Sequence, residues 1–524
     1  MALWLALTLP ALPLQLAARA LGPEAAALPL VVTDGPAQRP LVAFCNGSAQ
    51  DAGIRPGLKL AAAQALAQPL IAQPRQPERE SAALHELACW AYQFSGAITP
   101  LQADPDPGLL LEIGGSLRLF GGRALLLRRL RSELAGLGYQ GCPAIAPTPL
   151  AARWLALARS RRLPAARDVL SIDELTAALD PLPLAICCAS TERQPLLATL
   201  DALGLHALGP LRRLPRAGLR RRIGAALLDD IDRALGLRPD PQPTFEPPTR
   251  CEARIDLPAD LTDSARLMIP AERLLRSLEG FLRGRDAGAT RIEFSALHSP
   301  RRTQPVPPTP IVLTLAAPER DALRLTRLLA ERLTRVQLPE PAIALCLRVE
   351  TLQRFAAVHA SLLPPSPASD GTDADWLHLA ETLHARLGSQ RVFQLQTVDD
   401  HRPEHAQRAV PLNTPPLAAC EPPAPGLTDT PAPPRPMLLL PQPQPLSTEA
   451  AANAADPPPV YGGALTLIAG PERIEAGWWS LGADARDSAV HRDYFVARNP
   501  RGQTLWVFRE LAAPRGWFLH GFFA

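Results

Sequence analysis

Where the prolines fall constrains this chain more than any other feature. Of its 524 residues 60 are proline, and they gather toward the C-terminal half. Proline lacks a backbone donor and breaks helix interiors and central strands, so its clusters mark where packed structure stops. "RPDPQPTFEPPT" (238–249) reads as a stiff linker. The Pro/Ala-rich stretch 413–460 reads as a longer linker that is disordered. These breaks and the changes of pattern around them divide the chain into 1–167, 168–237, 250–352, 353–412, 413–460 and 461–524.

Between the breaks, apolar periodicity sets the expected elements. Residues 3–9 form a strand, 29–34 and 40–46 a hairpin, and 49–67 two short helices around a Gly-Ile-Arg-Pro-Gly turn. An amphipathic helix over 77–95 leads to the apolar strand Leu109–Ile113; a helix at 124–138 and a strand and helix over 142–160 follow. That order predicts a small antiparallel sheet backed by helices, with an inserted unit. Residues 168–237 are helical, and 250–352 repeat a strand, helix, two strands, helix and strand. A helix and a short strand occupy 376–396, and the aromatic-rich end reads as a β module of hairpins. The class is α+β, multidomain.

The net charge is +3, too small to define a nucleic-acid binder, so local clustering must decide. Arginine supplies nearly all the positive charge, with Lys59 the single lysine. Eight cysteines are scattered without a C-x-x-C pair, which indicates neither a zinc site nor a disulfide framework and suits a reducing cytoplasm. The opening "MALWLALTLPALPLQLAARALG" lacks a basic start, and Pro10 and Pro13 interrupt it, so a buried strand is expected rather than a signal peptide. No stretch is long and apolar enough to span a bilayer.

Several stretches carry a resemblance: "LWLALTLPALPLQ", "AGIRPGLKLAAAQAL", "GLLLEIGGSLRLFGG" and "APTPLAARWLALA", then "DDHRPEHAQR", "LIAGPERIEAGWW", "RDYFVARNP" and "GWFLHGFFA". Together they resemble the Y-family of translesion DNA polymerases, in its ImuB-type branch from bacterial mutagenesis cassettes. The resemblance covers nearly the whole chain and is weakest across 413–460. It implies a palm with inserted fingers over 1–167, a helix-hairpin-helix thumb over 168–237 and a βαββαβ little finger over 250–352. Residues 353–412 would carry a clamp motif and a partner-binding segment, with the aromatic-rich module after the linker. It also implies a cytoplasmic, nucleoid-associated protein of damage-induced translesion synthesis.

Polymerase chemistry needs two magnesium ions held by carboxylates, and magnesium demands oxygen ligands. The resemblance puts Leu7 or a close neighbour at the first-strand acid, and Pro107 and Gly108 at the essential Asp-Glu pair. Glu112 matches a further strand acid outside that pair, while Asp104 and Asp106 lie close by. Gly47 and Gln50 stand where a Tyr and an Arg would hold the triphosphate, Leu163 replaces the lysine before Pro164, and Leu12 replaces the residue that excludes ribonucleotides. The metal and nucleotide sites read as dismantled, and no cofactor is expected.

For DNA, the resemblance and the run "GLHALGPLRRLPRAGLRRRIG" point to the thumb. A turn from Gly204 to Gly209 would offer backbone N–H groups to a phosphate, followed by Arg212, Arg213, Arg216, Arg220, Arg221 and Arg222. A solvated helix face balanced by Asp229, Asp230 and Asp232 is the plain alternative. Arg283, Arg285, Arg291, Arg301 and Arg302, and further Arg153, Arg159, Arg161 and Arg162, are additional candidates for sequence-independent contacts.

By the same resemblance, "HASLL" stands where a sliding-clamp motif is expected. His359, Ser361, Leu362 and Leu363 would engage the β clamp, with His for Gln and Leu for the aromatic anchor. Expected partners are primer-template DNA, the β sliding clamp, an ImuA or RecA-like protein and a C-family error-prone polymerase; no membrane is involved. Trp478, Trp479, Tyr494, Phe495, Trp506, Trp517, Phe518 and Phe522 suit either a small core or a partner surface. "HRPEH" (401–405) fits an inverted zinc-protease pattern, but Pro403 and the missing third ligand argue against a metal. Two other readings stay open: a working low-fidelity translesion polymerase with displaced metal-binding acids, and a protein-interaction hub that no longer binds DNA.

Overall fold

A computed structural model describes residues 2–21, 23–36, 38–102, 106–164, 166–299, 306–355, 371–388, 391–398, 400–410, 434–448, 457–477, 489–513 and 515–523. The chain divides into two compact units, Met1–Gly388 and Ser389–Ala524.

The first unit opens with β1 (Trp4–Thr8), α1 (Leu12–Ala18), α2 (Pro23–Ala26), β2 (Leu30–Asp34), β3 (Leu41–Cys45), α3 (Gly47–Asp51), α4 (Leu60–Leu66) and β4 (Ile71–Pro74). Then come α5 (Pro77–Ala91), β5 (Ile98–Leu101), β6 (Gly108–Glu112), α6 (Arg123–Gly136), β7 (Cys142–Ala146) and α7 (Pro149–Ser160). The main sheet has the order β5-β6-β1-β7, antiparallel throughout. Because successive strand residues face opposite sides, Leu5, Leu7, Leu109 and Leu111 bury against α5 and α6. Ala6 and Leu110 bury against α7. The inserted unit is the small sheet β3-β2-β4 with its own core around Val31, Val42 and Ile54. The expected hairpin forms between β2 and β3, while β4, which pairs β2 in parallel, was not expected.

The helical segment holds α8 (Leu175–Leu179), α9 (Leu184–Cys187), α10 (Gln194–Ala202), α11 (Leu208–Arg213), α12 (Arg216–Ile223) and α13 (Ala226–Ala234). Its leucines share the α7-side core of the main sheet. Residues 238–249 are strapped along β5: the Phe245 N–H donates to the Ile98 carbonyl at 2.7 Å and the Thr99 hydroxyl to the Pro243 carbonyl at 2.7 Å.

The second α+β portion runs β8 (Cys251–Leu261), α14 (Met268–Gly284), β9 (Ala287–His298), β10 (Thr309–Glu319), α15 (Ala322–Leu333), β11 (Ala342–Val349) and β12 (Gln353–Arg354), with strand order β10-β9-β11-β8 and β12 on β9. Helix α14 crosses α5 closely. A Cβ at Gly280 would lie 2.2 Å from Trp90 Cδ1, and one at Gly284 2.9 Å from the Gln93 nitrogen. Helix α16 (Gly371–Leu387) packs beside α15 through an ion pair of Glu381 with Arg324.

The second unit contains the hairpin β13 (Gln394–Thr397) and β14 (Gln407–Val410), then β15 (Leu438–Thr448), β16 (Pro459–Val460), β17 (Thr466–Ala476), β18 (Val490–Arg498), β19 (Thr504–Glu510) and β20 (Gly516–Phe522). One sheet takes the order β16-β15-β20-β19-β18-β17. The expectation of disorder across 413–460 is corrected in part, since Leu438–Thr448 is a strand beside β20. Tyr494, Trp506, Phe508 and Trp517 are buried, the core role rather than the surface one. Trp478 and Trp479 lie outside the described residues.

Candidate functional site

The site is built where β1 ends and β6 begins. Their register sets Leu7 opposite Leu109 and Thr8 opposite Gly108. Leu7 is 1% exposed and faces the α5–α6 core, so it does not border the cleft. Thr8, 6% exposed, is the β1 residue that does. It and Gly108 line a cleft of about 470 Å³ whose other walls come from α7 and the helical segment, including Arg153, Trp154, Ser190 and Arg193.

Strand β6 could not carry a carboxylate at its first position without moving. A Cβ on Gly108 would stand 2.2 Å from the Leu7 carbonyl oxygen and 3.2 Å from Thr8 Cα. Pro107 is engaged too, its carbonyl accepting the Leu9 N–H at 2.9 Å. The acids nearby have other partners. Asp106 pairs with Arg161 at 3.1 Å. Glu112 Oε1 accepts the Leu3 N–H at 3.1 Å and the Gly114 N–H at 2.9 Å, capping the turn that follows β6. Asp230, at the cleft wall, lies between Arg193 at 2.5 Å and Arg233 at 2.7 Å. Asp104 lies outside the described residues. Among the described residues no group of three or more His, Cys, Asp or Glu side chains could hold a metal.

The positions read as degenerate nucleotide contacts have structural work. Gly47 opens α3, which Asn46 caps by accepting the Ala49 N–H at 2.9 Å. Gln50 Nε2 donates back to the Cys45 carbonyl at 3.2 Å. Leu163 packs on the α7-side core, and Leu12 is fully buried on the other face.

In the helical segment the turn that contains Gly204 joins α10 to α11 and is exposed, but the amides of its glycines are engaged. Gly204 has φ +73°, but its N–H already donates to the Asp201 carbonyl at 3.0 Å. Gly209 is buried inside α11 and donates to the Asp180 carbonyl at 2.9 Å; a Cβ there would meet Asp180 at 3.1 Å. Neither offers a free amide. A second exposed hairpin, Leu214–Gly218, leads from α11 into the first turn of α12, where the Arg216 and Ala217 N–H groups have no partner among the described residues. Its flanking arginines divide into two sets. Arg212 pairs with Asp180 at 2.9 Å, Arg216 with Asp232 at 2.6 Å, and Arg220 lies 3.7 Å from Asp229. Arg213, Arg221 and Arg222 are exposed and unpaired among the described residues. The pattern of arginines was legible; which ones are free was not, because the balancing aspartates come from α8 and α13.

The remaining arginines are mostly committed. Arg283 pairs with Glu279 at 2.6 Å, Arg291 with Glu293 at 2.6 Å, and Arg285 donates to the Pro247 carbonyl at 2.6 Å. Arg159 pairs with Asp168 at 3.0 Å. Arg301 and Arg302, and the clamp-motif residues His359, Ser361, Leu362 and Leu363, lie outside the described residues. The "HRPEH" stretch contains a single 3-10 turn, Pro403–His405, whose Glu404 pairs with Arg492 at 2.8 Å.

The impB/mucB/samB family model matches residues 14–156. Protein ImuB of Caulobacter vibrioides (strain NA1000 / CB15N) is 32% identical over 491 residues, covering 90% of this chain and 100% of the relative. The protein of the same name from strain ATCC 19089 / CIP 103742 / CB 15 matches with the same figures. Among solved structures, DinB from Sulfolobus solfataricus aligns with TM-score 0.37 and 15% identity over 66% of this chain and 98% of that one. The insertion ternary complex of Dbh DNA polymerase aligns with TM-score 0.37 and 16% identity over the same shares. The chain belongs to the ImuB family of Y-family polymerase-related proteins, with its impB/mucB/samB region at the start.

Proposed function

We propose that the chain is a non-catalytic member of its family, a scaffold in damage-induced translesion synthesis that grips DNA and gathers other proteins on it. One observation carries this reading: Gly108, at the place of an essential acid, has no room for any side chain, with the Leu7 carbonyl 2.2 Å from its missing Cβ. The commitment of Asp106 to Arg161 and of Glu112 to a turn supports it. Two-metal phosphoryl transfer draws most of its rate from ions held by carboxylates, and the described residues supply no such set.

The DNA-gripping surface of this reading is the Leu214–Gly218 hairpin with Arg213, Arg221 and Arg222, which fits phosphate contact without base readout. By resemblance, His359, Ser361, Leu362 and Leu363 would tether the β sliding clamp, and the C-terminal module would hold an ImuA or RecA-like protein and a C-family error-prone polymerase. The protein acts in the cytoplasm, on the nucleoid. Primer extension tests the reading: with Mg²⁺ and all four dNTPs the purified chain should bind primer-template and leave it unextended. Extension that disappears when Asp104, Asp106 and Glu112 are changed to Asn or Gln would establish instead a low-fidelity polymerase with displaced acids.

A further inference from the structure

The cleft beside Thr8 and Gly108 keeps one group that the fold does not use. Arg153 projects from α7 into it, half-buried, with no hydrogen bond or ion pair among the described residues. Burial pushes its pKa down from the ordinary arginine value, and the nearby Asp106 only partly offsets this. Of the carboxylates near it, Asp106 is engaged by Arg161 and Asp230 by Arg193 and Arg233, while Asp240 accepts the Leu150 N–H. Glu192 lies exposed at the rim. Thr8 and Ser190 line the same space, and their hydroxyls have no side-chain partner among the described residues. A guanidinium partly removed from water without a directly paired counter-charge is a standing cost. A phosphate removes that cost, because its oxygens match the guanidinium fork. The cleft, at about 470 Å³, is large enough for a phosphate with its attached sugar.

We propose that this cleft is a metal-independent phosphate site in which Arg153, with the hydroxyls of Thr8 and Ser190, receives a phosphate of a nucleic-acid strand or of a free nucleotide. The proposal rests on the non-catalytic reading: an arginine offers charge where the family's chemistry would call for cations, and it binds without reacting.

The test uses the full-length chain in EDTA, with fluorescein-labelled primer-template and, separately, mant-dATP as probes. Arg153→Met keeps the alkyl stem and removes the charge; Arg153→Lys restores the charge. At least one probe should bind the native chain, weaken fivefold or more with Arg153→Met and recover most of that loss with Arg153→Lys. For DNA, the slope of log affinity against log salt should also fall by about 0.9, the share of one neutralised phosphate. Loss of the DNA probe identifies a strand phosphate, and loss of mant-dATP a nucleotide. Unchanged binding of both probes by Arg153→Met, or binding that appears only with Mg²⁺, overturns the site. If DNA still binds with a steep salt dependence in that case, the scaffold reading survives alone. If the native chain binds mant-dATP through Arg153 but no DNA, the phosphate site stands and the scaffold reading falls.

Discussion

A methyl group at Gly108 would sit 2.2 Å from the Leu7 carbonyl oxygen, between two paired strands that are both buried. Backbone on both sides must shift to admit it, so Gly108→Ala should lose about 1–3 kcal/mol in urea unfolding. Gly108→Asp should lose at least as much and gain no Mg²⁺-dependent primer extension, although it restores an acid by type. A second residue-scale effect concerns Glu86 on α5, whose carboxylate accepts the Arg254 N–H of β8 at 3.1 Å. Burial pushes its pKa up to about 7, against the pull of Arg19 and Arg79. Since the folded value exceeds the unfolded one of about 4.3, the folded chain holds this proton more tightly. The resulting stability is full below about pH 4.3 and is lost as pH rises through about 7. Glu86→Gln, which keeps the acceptor oxygen, should therefore come close to the native chain below about pH 4 and exceed it at pH 8. The gain should stay within about 4 kcal/mol in thermal melts.

At the scale of elements, the α11–α12 hairpin gives a prediction that sequence alone would have aimed elsewhere. Changing Arg213, Arg221 and Arg222 to Ala together should weaken primer-template binding uniformly across sequences. It should also lower the salt slope by about 2–3, at roughly 0.9 for each phosphate no longer neutralised. Arg212→Ala should alter binding less and stability more, because it breaks the 2.9 Å pair with Asp180. Sequence placed the helices and the Gly204 turn but not the free amides, because glycine serves two purposes: left-handed backbone and close approach. Gly204 shows the first with φ +73° and Gly209 the second against Asp180, and both N–H groups are taken by backbone carbonyls. The same limit explains Leu7: its match to the first acid is a one-residue ambiguity, and one residue exchanges the two faces of a strand. That Pro107 and Gly108 themselves supply no oxygen side chain is plain from the sequence; the crowding around Gly108 came only with the structure. Strand β15 was hidden by Pro441, Pro443 and Pro445. Prolines two apart remove donors from one side of a strand only, and the other side still pairs with β20.

For the whole molecule, the division at Gly388 and Ser389 separates two compact units. Each unit has its own buried core, the second around Tyr494, Trp506 and Phe508 and around Leu505, Val507 and Leu519. A unit with its own core and its own sheet can fold without its neighbour. Expressed separately, 1–388 and 389–524 should each unfold cooperatively, and full-length calorimetry should resolve into their two transitions. The proposed duties should separate at the same place. Fragment 1–388 contains the hairpin arginines and the sequence of the clamp motif, so it should keep the full-length salt slope and pull down the β clamp. Leu362→Ala with Leu363→Ala should abolish that capture while leaving DNA binding intact. Fragment 389–524 should capture the error-prone polymerase or the RecA-like partner without DNA. Polymerase capture by 1–388 alone would mean that the aromatic module serves stability, and that the scaffold gathers its partners through the region that grips DNA.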